Sequence, residues 1–180
     1  MVTQACFGLR EVHNLTVKER FLSYVIYPTM SDETSKTVPS TSKQIEFAHK
    51  LAEDMKNIGM SDVNIDKHGY VYGTLKANTD SVSDTIGFIA HMDTSPEASD
   101  TNISPREVKY DGGDVILNKE KNIVLSPKTY PSLNRYKGQH LIVTDGTTLL
   151  GADDKAGAAE IITALENIIK GGYRHGTVKA

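Results

Sequence analysis

Residues 141–170 place an apolar stretch, a small-residue turn carrying two adjacent aspartates, and a long amphipathic helix in direct succession, and few folds accommodate that order. Ala158, Ile161, Ile162, Leu165, Ile168 and Ile169 recur at i, i+3, i+4, i+7, i+10 and i+11, the stripe of a helix that must bury one face. Gly171-Gly172 ends it. Before it, Gly151-Ala152-Asp153-Asp154-Lys155-Ala156-Gly157 joins the helix to Thr148-Leu149-Leu150. A strand that feeds a helix through a tight turn is the repeating unit of α/β folds.

The rest of the chain supplies partners for that helix. Thr16 and Glu19 have capping-box spacing ahead of the apolar face Val17, Phe21, Leu22, Val25 and Ile26, which Pro28 closes. Thr41 and Gln44 form a second capping pair before Ile45, Ala48, Leu51, Ala52, Met55 and Ile58, with Gly59 at the position of a C′ glycine. After Gly59 the period changes to two. Val63 and Ile65, the turn Lys67-His68-Gly69, and Tyr70 to Leu75 predict a hairpin. Ile86 to Ala90 reads as a short buried strand. Residues 94–139 hold four of the prolines and read as a long loop with short strands at Val115-Ile116-Leu117 and Ile123-Val124-Leu125. Leu141-Ile142-Val143 and Thr148-Leu149-Leu150 flank Asp145-Gly146, a hairpin signal. The expected architecture is α/β: a central mixed, largely parallel sheet flanked by helices. Residues 1–14 carry no period and are expected to be a disordered arm, in part of cloning origin. Thr177-Val178-Lys179-Ala180 reads as the opening of a strand, so the domain over residues 15–180 is expected to be truncated at Ala180.

Composition narrows the chemistry. The net charge of -3 offers no basic surface for nucleic acid, and no apolar run reaches the roughly 18 residues of a membrane span. The single cysteine, Cys6, forms no internal disulfide, and the first residues lack a secretory core, so a cytoplasmic location is expected.

Two clusters carry the chemistry. His91-Met92-Asp93 follows an apolar strand, and residues i and i+2 of extended chain share a side. His91 and Asp93 then face one crevice, where a carboxylate orients an imidazole ligand. The plainer reading is a strand end with two solvated polar residues. Asp153-Asp154 stands at a helix start, where carboxylates cap and favour the dipole. The alternative puts one of them on a metal. An anionic ligand at that turn is a third use, but two carboxylates oppose it and no GxxxxGK[ST] is present. Nitrogen and oxygen donors suit zinc, cobalt or manganese over calcium. Lys155 reads as a charge partner, and His13, His49, His68, His140 and His175 as surface or structural residues.

His91-Met92-Asp93-Thr94-Ser95-Pro96 and Gly151-Ala152-Asp153-Asp154-Lys155-Ala156-Gly157 resemble the first two motifs of peptidase T, the tripeptide aminopeptidases of the M20 clan of metallopeptidases. Val38-Pro39-Ser40-Thr41, Gly112-Gly113-Asp114, Leu125-Ser126-Pro127 and Thr144-Asp145-Gly146 match similar stretches in the same order. The resemblance implies a zinc-peptidase-like domain with two zinc ions per complete site. His91 binds one zinc, Asp93 is the catalytic residue that orients it, Asp153 bridges the metals, and Asp154 follows across a peptide bond that is often cis. Glu97 stands where relatives often have Asp. The resemblance further implies a Glu-Glu pair beyond the strand at Thr177, a later Asp and a later His, and an inserted lid and dimerisation domain through which the family is often homodimeric. None of these lies within residues 1–180. The expected parent cleaves the N-terminal residue from tripeptides, with this portion inactive alone. The rival expectation is a non-enzymatic binding module that keeps the fold.

Overall fold

The computed structural model describes residues 15–81 and 84–180, so the arm expected over residues 1–14 lies outside the described residues. Among the described residues, two α-helices come first, six strands and a short 3-10 helix follow, and a seventh strand, the third α-helix and an eighth strand close the chain. Helix α1 (Val17–Val25) opens with the expected capping box: the Glu19 N–H donates to Thr16 Oγ1 at 3.2 Å, and the Thr16 N–H donates to the Glu19 carboxylate at 2.8 Å. Helix α2 (Lys43–Asn57) begins differently from expectation. Its N-cap is Ser42, which makes no side-chain cap bond. The Thr41 hydroxyl instead donates to the Met30 carbonyl at 3.0 Å, tying the preceding loop back on itself.

Strands β1 (Ser61–Ile65) and β2 (Val71–Leu75) form the expected antiparallel hairpin. The Asp66 carboxylate closes its turn by accepting from the N–H groups of His68 and Tyr70. Strand β3 (Thr85–Gly87) and the late strand β8 (Thr177–Lys179) complete a four-stranded sheet in the order β1-β2-β8-β3. The sheet is mixed, as expected, but not largely parallel. Only β3–β8 runs parallel, whereas β1–β2 and β2–β8 are antiparallel. The hairpin explains the difference, because a short turn joins only antiparallel neighbours. The expected buried strand over Ile86 to Ala90 is shorter and more open: only residues 85–87 pair, and all three are exposed.

Helix α3 (Ala152–Lys170) packs with α2 on one face of this sheet. Met55, Ile58, Met60, Leu75, Ile162, Leu165 and Val178 form the core between them. A second cluster of Phe21, Tyr24, Val25, Phe47, Leu51, Ala158 and Ala159 joins all three helices. The loop expected over residues 94–139 has a small core of its own, built on Tyr110, Val115 and Leu133. Strands β5 (Val115–Asn118) and β6 (Ile123–Leu125) fall where the apolar triplets predict them. The Asp145-Gly146 hairpin does not form. Strand β7 (His140–Val143) pairs instead with β4 (Arg106–Lys109), a polar strand that carries no apolar run. Asp145 turns inward on Thr147, accepting from its N–H at 2.9 Å, so residues 144–148 make a compact turn.

Arg20 is the polar centre of the helical layer. It is 3% exposed, and its guanidinium meets Glu166 of α3 directly and lies 3.6 Å from Asp54 of α2. Its Nε donates to Thr163 Oγ1 at 3.0 Å. Asp54 also accepts from the Tyr24 hydroxyl at 2.8 Å and from Lys50 at 2.7 Å, and Lys170 caps Glu166. Burial, with the Asp54 charge, holds the Tyr24 phenol neutral. Replacing Arg20 with alanine leaves two buried carboxylates short of their shared cation, a change that typically costs about 3–5 kcal/mol. Urea unfolding of Arg20→Ala is expected to show a loss of that size at unchanged slope. A loss below about 1 kcal/mol, the range of a solvated pair, would show that water already screens this network.

Candidate metal centre

The site is built from two chain segments that leave the core in different directions. The first is His91-Met92-Asp93. Ala90 and Met92 pack against the helical cluster, so alternation turns His91 and Asp93 to the other side. The next residue, Thr94, is fixed from below. Its N–H donates to the Thr29 carbonyl at 3.1 Å, and its own carbonyl accepts from the Ser31 N–H at 3.0 Å.

The second segment is the turn into α3. Gly151 has φ of 73°, and a Cβ there would stand 3.0 Å from Thr94 Cγ2, so only glycine lets this turn lie against the first segment. Asp153 and Asp154 are non-helical and the peptide bond between them is cis, as the resemblance implies. Their side chains part company. Asp154 Oδ1 accepts from the Gly157 N–H at 3.0 Å, the i, i+3 bond of an N-cap. Asp153 points outward to His91. Asp154 thus takes the cap reading of the pair, and Asp153 stands against His91 instead.

His91 Nε2 lies 2.8 Å from Asp153 Oδ1, across 62 residues of sequence. Its Nδ1 lies 2.9 Å from the Asp93 carbonyl and 3.3 Å from the Asp93 carboxylate. Both ring nitrogens therefore face acceptors, which the imidazolium satisfies with two N–H groups. Partial burial alone would lower the His91 pKa. The Asp153 bond, the Asp93 carbonyl and the two charges outweigh it and hold the pKa above the ordinary histidine value. Nitrogen and carboxylate donors of this kind suit zinc, so these residues fit the group in the chemistry of the donors. Among the described residues no group of three or more His, Cys, Asp or Glu side chains converges to hold a metal, and the pair is open, with side chains 52% and 94% exposed.

Lys155 is not the solvated charge partner that its sequence position suggests. It is fully buried, its Nζ donates to the Tyr27 carbonyl at 2.6 Å, and it lies 5.4 Å from the centre of the Phe47 ring. Burial lowers its pKa to about 8, with Asp100 opposing the shift. It anchors the start of α3 to the end of α1. Nothing in sequence spacing marks this, because Tyr27 contributes a backbone oxygen rather than a side chain. The remaining described histidines do not join the pair. His140 faces Glu107 at 2.8 Å, and His175 Nδ1 lies 2.8 Å from the Gly176 carbonyl.

No family model matches the chain. Known proteins do. Over 165 residues, 91% of this chain, it is 59% identical to a peptidase T of Clostridium botulinum (strain Hall) and 54% identical to a peptidase T of Halothermothrix orenii. The match covers 40% of each relative, so the chain spans about two fifths of the length of the curated relatives it matches. Among solved structures, an aminopeptidase PepT from Bacillus cereus superposes with a TM-score of 0.55 at 25% identity, over 90% of this chain and 35% of that one. A tripeptidase from Staphylococcus aureus superposes with a TM-score of 0.52 at 22% identity, over 92% and 36%, a likeness of fold. The chain is homologous to peptidase T, and its α/β fold matches these aminopeptidase structures.

Gly157 and Asp154 test the corner directly. A Cβ on Gly157 would collide with the Asp154 carboxylate. Gly157→Ala and Asp154→Ala both break the same cap and are each expected to cost about 1–2 kcal/mol. The double variant should cost no more than the larger single loss. Full additivity in a double-mutant cycle by thermal unfolding would show that the two residues act separately.

Proposed function

We propose that this peptidase T homologue forms one wall of the dinuclear zinc centre of a cytoplasmic tripeptide aminopeptidase of the M20 clan. The observation that carries the reading is the meeting of His91 Nε2 and Asp153 Oδ1 at 2.8 Å from two separate segments, with Asp93 at the other ring nitrogen. The names of the relatives supply the substrate class, and the homodimer typical of the resembled family belongs to the same proposal.

Each residue has a defined task. His91 presents the Nε2 lone pair once that nitrogen is deprotonated. Asp93 keeps the proton on Nδ1 through its carbonyl and carboxylate, which fixes the tautomer and makes Nε2 more basic. Asp153 offers a carboxylate whose side chain is 94% exposed, so it would be accessible to a cation held beside His91. Asp154 holds the helix start, and through it the direction of Asp153. Zinc held here would supply Lewis acidity, making a water nucleophilic near neutral pH and polarising a peptide carbonyl. No residue of this chain is assigned as general base, and the resemblance places that role on a glutamate outside residues 1–180. The 180-residue chain alone is therefore inactive in this reading. The exposure of the His91–Asp153 pair favours the same conclusion, because two open donors leave most of a metal's coordination to water.

Two measurements test it. Zinc titration of the 180-residue chain by calorimetry should give weak binding that His91→Ala and Asp153→Ala abolish. Asp93→Asn should weaken that binding by about 10- to 100-fold, the usual effect of losing a ligand's orienting partner. In the full-length protein, a tripeptide with a free amine should lose its first residue, and the N-acetylated tripeptide should remain intact. Zinc binding unchanged by either ligand substitution would remove this centre from the proposal, and hydrolysis by the 180-residue chain alone would overturn the division of roles.

A further inference from the structure

Two aspartyl-glycine pairs, Asp111-Gly112 and Asp145-Gly146, lie in stretches that the proposed function leaves unused. Such a pair has a chemistry of its own. Glycine has no side chain to shield its backbone nitrogen or to restrict its turn, so that nitrogen can reach the carboxyl carbon of the preceding aspartate. The fold decides whether it does, because the nitrogen and the carboxyl must both be free to turn toward each other. Both pairs flank the small lobe built on Tyr110, Val115 and Leu133, and they differ in each of these respects.

At Asp145 both groups are engaged. The Gly146 N–H donates to Thr144 Oγ1 at 3.1 Å, and the Asp145 carboxylate accepts from the N–H and the hydroxyl of Thr147 at 2.9 and 2.7 Å. The Thr147 hydroxyl, and then its N–H, hold that carboxyl below its ordinary pKa, in the ionised form that parts least readily with an oxygen. The corner is also closed, since a Cβ on Gly146 would stand 2.6 Å from Ile123 Cγ2 of β6. Asp111 is held by much less. Residues 111–114 are all exposed. The Asp111 side chain is 72% exposed and faces Lys109 at 3.5 Å, an ion pair in water that restrains it little. Gly112 and Gly113 follow with φ of 106° and 77°. Nothing stands within 4 Å of a Cβ built on Gly113, and the nearest atoms to one on Gly112 belong to the flexible Lys137 side chain, at 3.6 Å. Among the described residues no hydrogen bond engages the Gly112 N–H.

We propose that Asp111 is a site of spontaneous isomerisation to isoaspartate, and that Thr144 and Thr147 guard Asp145 against the same reaction. The step balances without a co-reactant. The Gly112 nitrogen gives up its proton and bonds to Asp111 Cγ, the carboxyl loses its hydroxyl, and water leaves a cyclic succinimide behind. Water then adds back. Attack at Cγ breaks the new bond and restores aspartate. Attack at the main-chain carbonyl carbon of Asp111 breaks the original peptide bond instead, so the chain runs on through Cγ and a free α-carboxylate remains. The product lengthens the main chain by a methylene between Tyr110 and Gly112. Tyr110 is fixed on both sides, its N–H donating to the Gln139 carbonyl at 2.8 Å and its carbonyl accepting from the Gly138 N–H at 2.7 Å, and Val115 is buried. Those anchors stay in place while the exposed residues 111–114 take up the added atom. The modified chain therefore remains folded and presents a carboxylate open to an enzyme that methylates isoaspartate. The inference does not depend on the metal reading, since none of His91, Asp93, Asp153 and Asp154 takes part.

The test ages the protein at neutral pH, folded and in urea, and digests it with trypsin. The two pairs fall in separate peptides, residues 110–119 and 138–155. Isoaspartate leaves the mass unchanged, so it is read by chromatographic separation, by fragmentation that locates it, and by methyl transfer from an isoaspartyl methyltransferase. In the folded protein it is expected at Asp111 at least about tenfold faster than at Asp145, the discrimination that local structure imposes. In urea the two rates should agree within about threefold, since the denatured chain holds neither pair in a fixed turn. Asp111→Glu, which would have to close a larger ring, should remove the signal from the first peptide and leave the second as it was. Thr147→Val should raise the Asp145 rate about 2- to 10-fold, the worth of a hydrogen bond, without moving that of Asp111. Equal rates in the folded protein, faster reaction at Asp145, or no isoaspartate at Asp111 where the urea sample forms it, overturns the proposal. So does loss of the folded circular-dichroism signal in step with isoaspartate, which would show that the turn cannot absorb the product.

Discussion

Arg20 is the interaction on which the rest of the arrangement depends. Helix α1 has only nine residues and an apolar face too small to fix its position by burial alone. The guanidinium gives it a unique seat, because only one placement satisfies Asp54 of α2 and Glu166 of α3 together. Everything that follows α1 inherits that placement. The Tyr27 carbonyl is set to receive Lys155, and Thr29 to Ser31 are set to pair with Thr94. Those two contacts hold the two segments that bear His91 and Asp153. His91 and Asp153 meet because a short helix, distant from both in sequence, is locked by charge between two longer ones.

Electrostatics at the meeting point follows from the same geometry. Asp93, Asp153 and Asp154 crowd one corner, and their repulsion is offset by a donor at each carboxylate. Asp154 spends its charge on a backbone N–H and the helix dipole. Asp93 and Asp153 share His91. The folded-state pKa of His91 is raised, so the stabilisation from this contact is fully present below the unfolded histidine value and is lost as pH rises through the folded value. A metal held by His91 would need the same nitrogen lone pair, so its binding would strengthen over the pH range in which that nitrogen loses its proton.

Much of the fold was legible because local rules and the core agree. The capping box at Thr16, the apolar stripe of α3, the β1–β2 hairpin and the short strands at Val115 and Ile123 each satisfy one period in their own window. The readings that missed depended on distant partners. β4 is polar and was invisible until β7 was found beside it. Thr41 had the spacing of a cap, but a carbonyl from another loop was the better acceptor for its hydroxyl. The sheet was expected to be largely parallel because strand and helix seemed to alternate, yet the hairpin reverses the chain. Of the site, the pairing of His91 with Asp93 came from strand alternation, while the approach of Asp153 came from resemblance alone. The separate roles of Asp153 and Asp154 likewise came from the resemblance alone, since adjacent identical residues carry no signal about which one turns to the helix.

The exposure of the His91–Asp153 pair follows from how the His91 segment is held. Ala90 and Met92 fix one side of the His91 segment in the core, and Thr94 is bridged to Met30, but the backbone of Phe88 to Ala90 lacks a neighbour beyond Lys179. A ligand on a segment held along one edge loses conformational entropy when it binds a cation, and that loss subtracts from affinity. Contacts that fix the segment beforehand reduce that loss, as preorganisation does for any binding site. The side on which His91 stands is set by the core through Ala90 and Met92, and its meeting with Asp153 is set by α1 and α3 through Thr94 and Lys155.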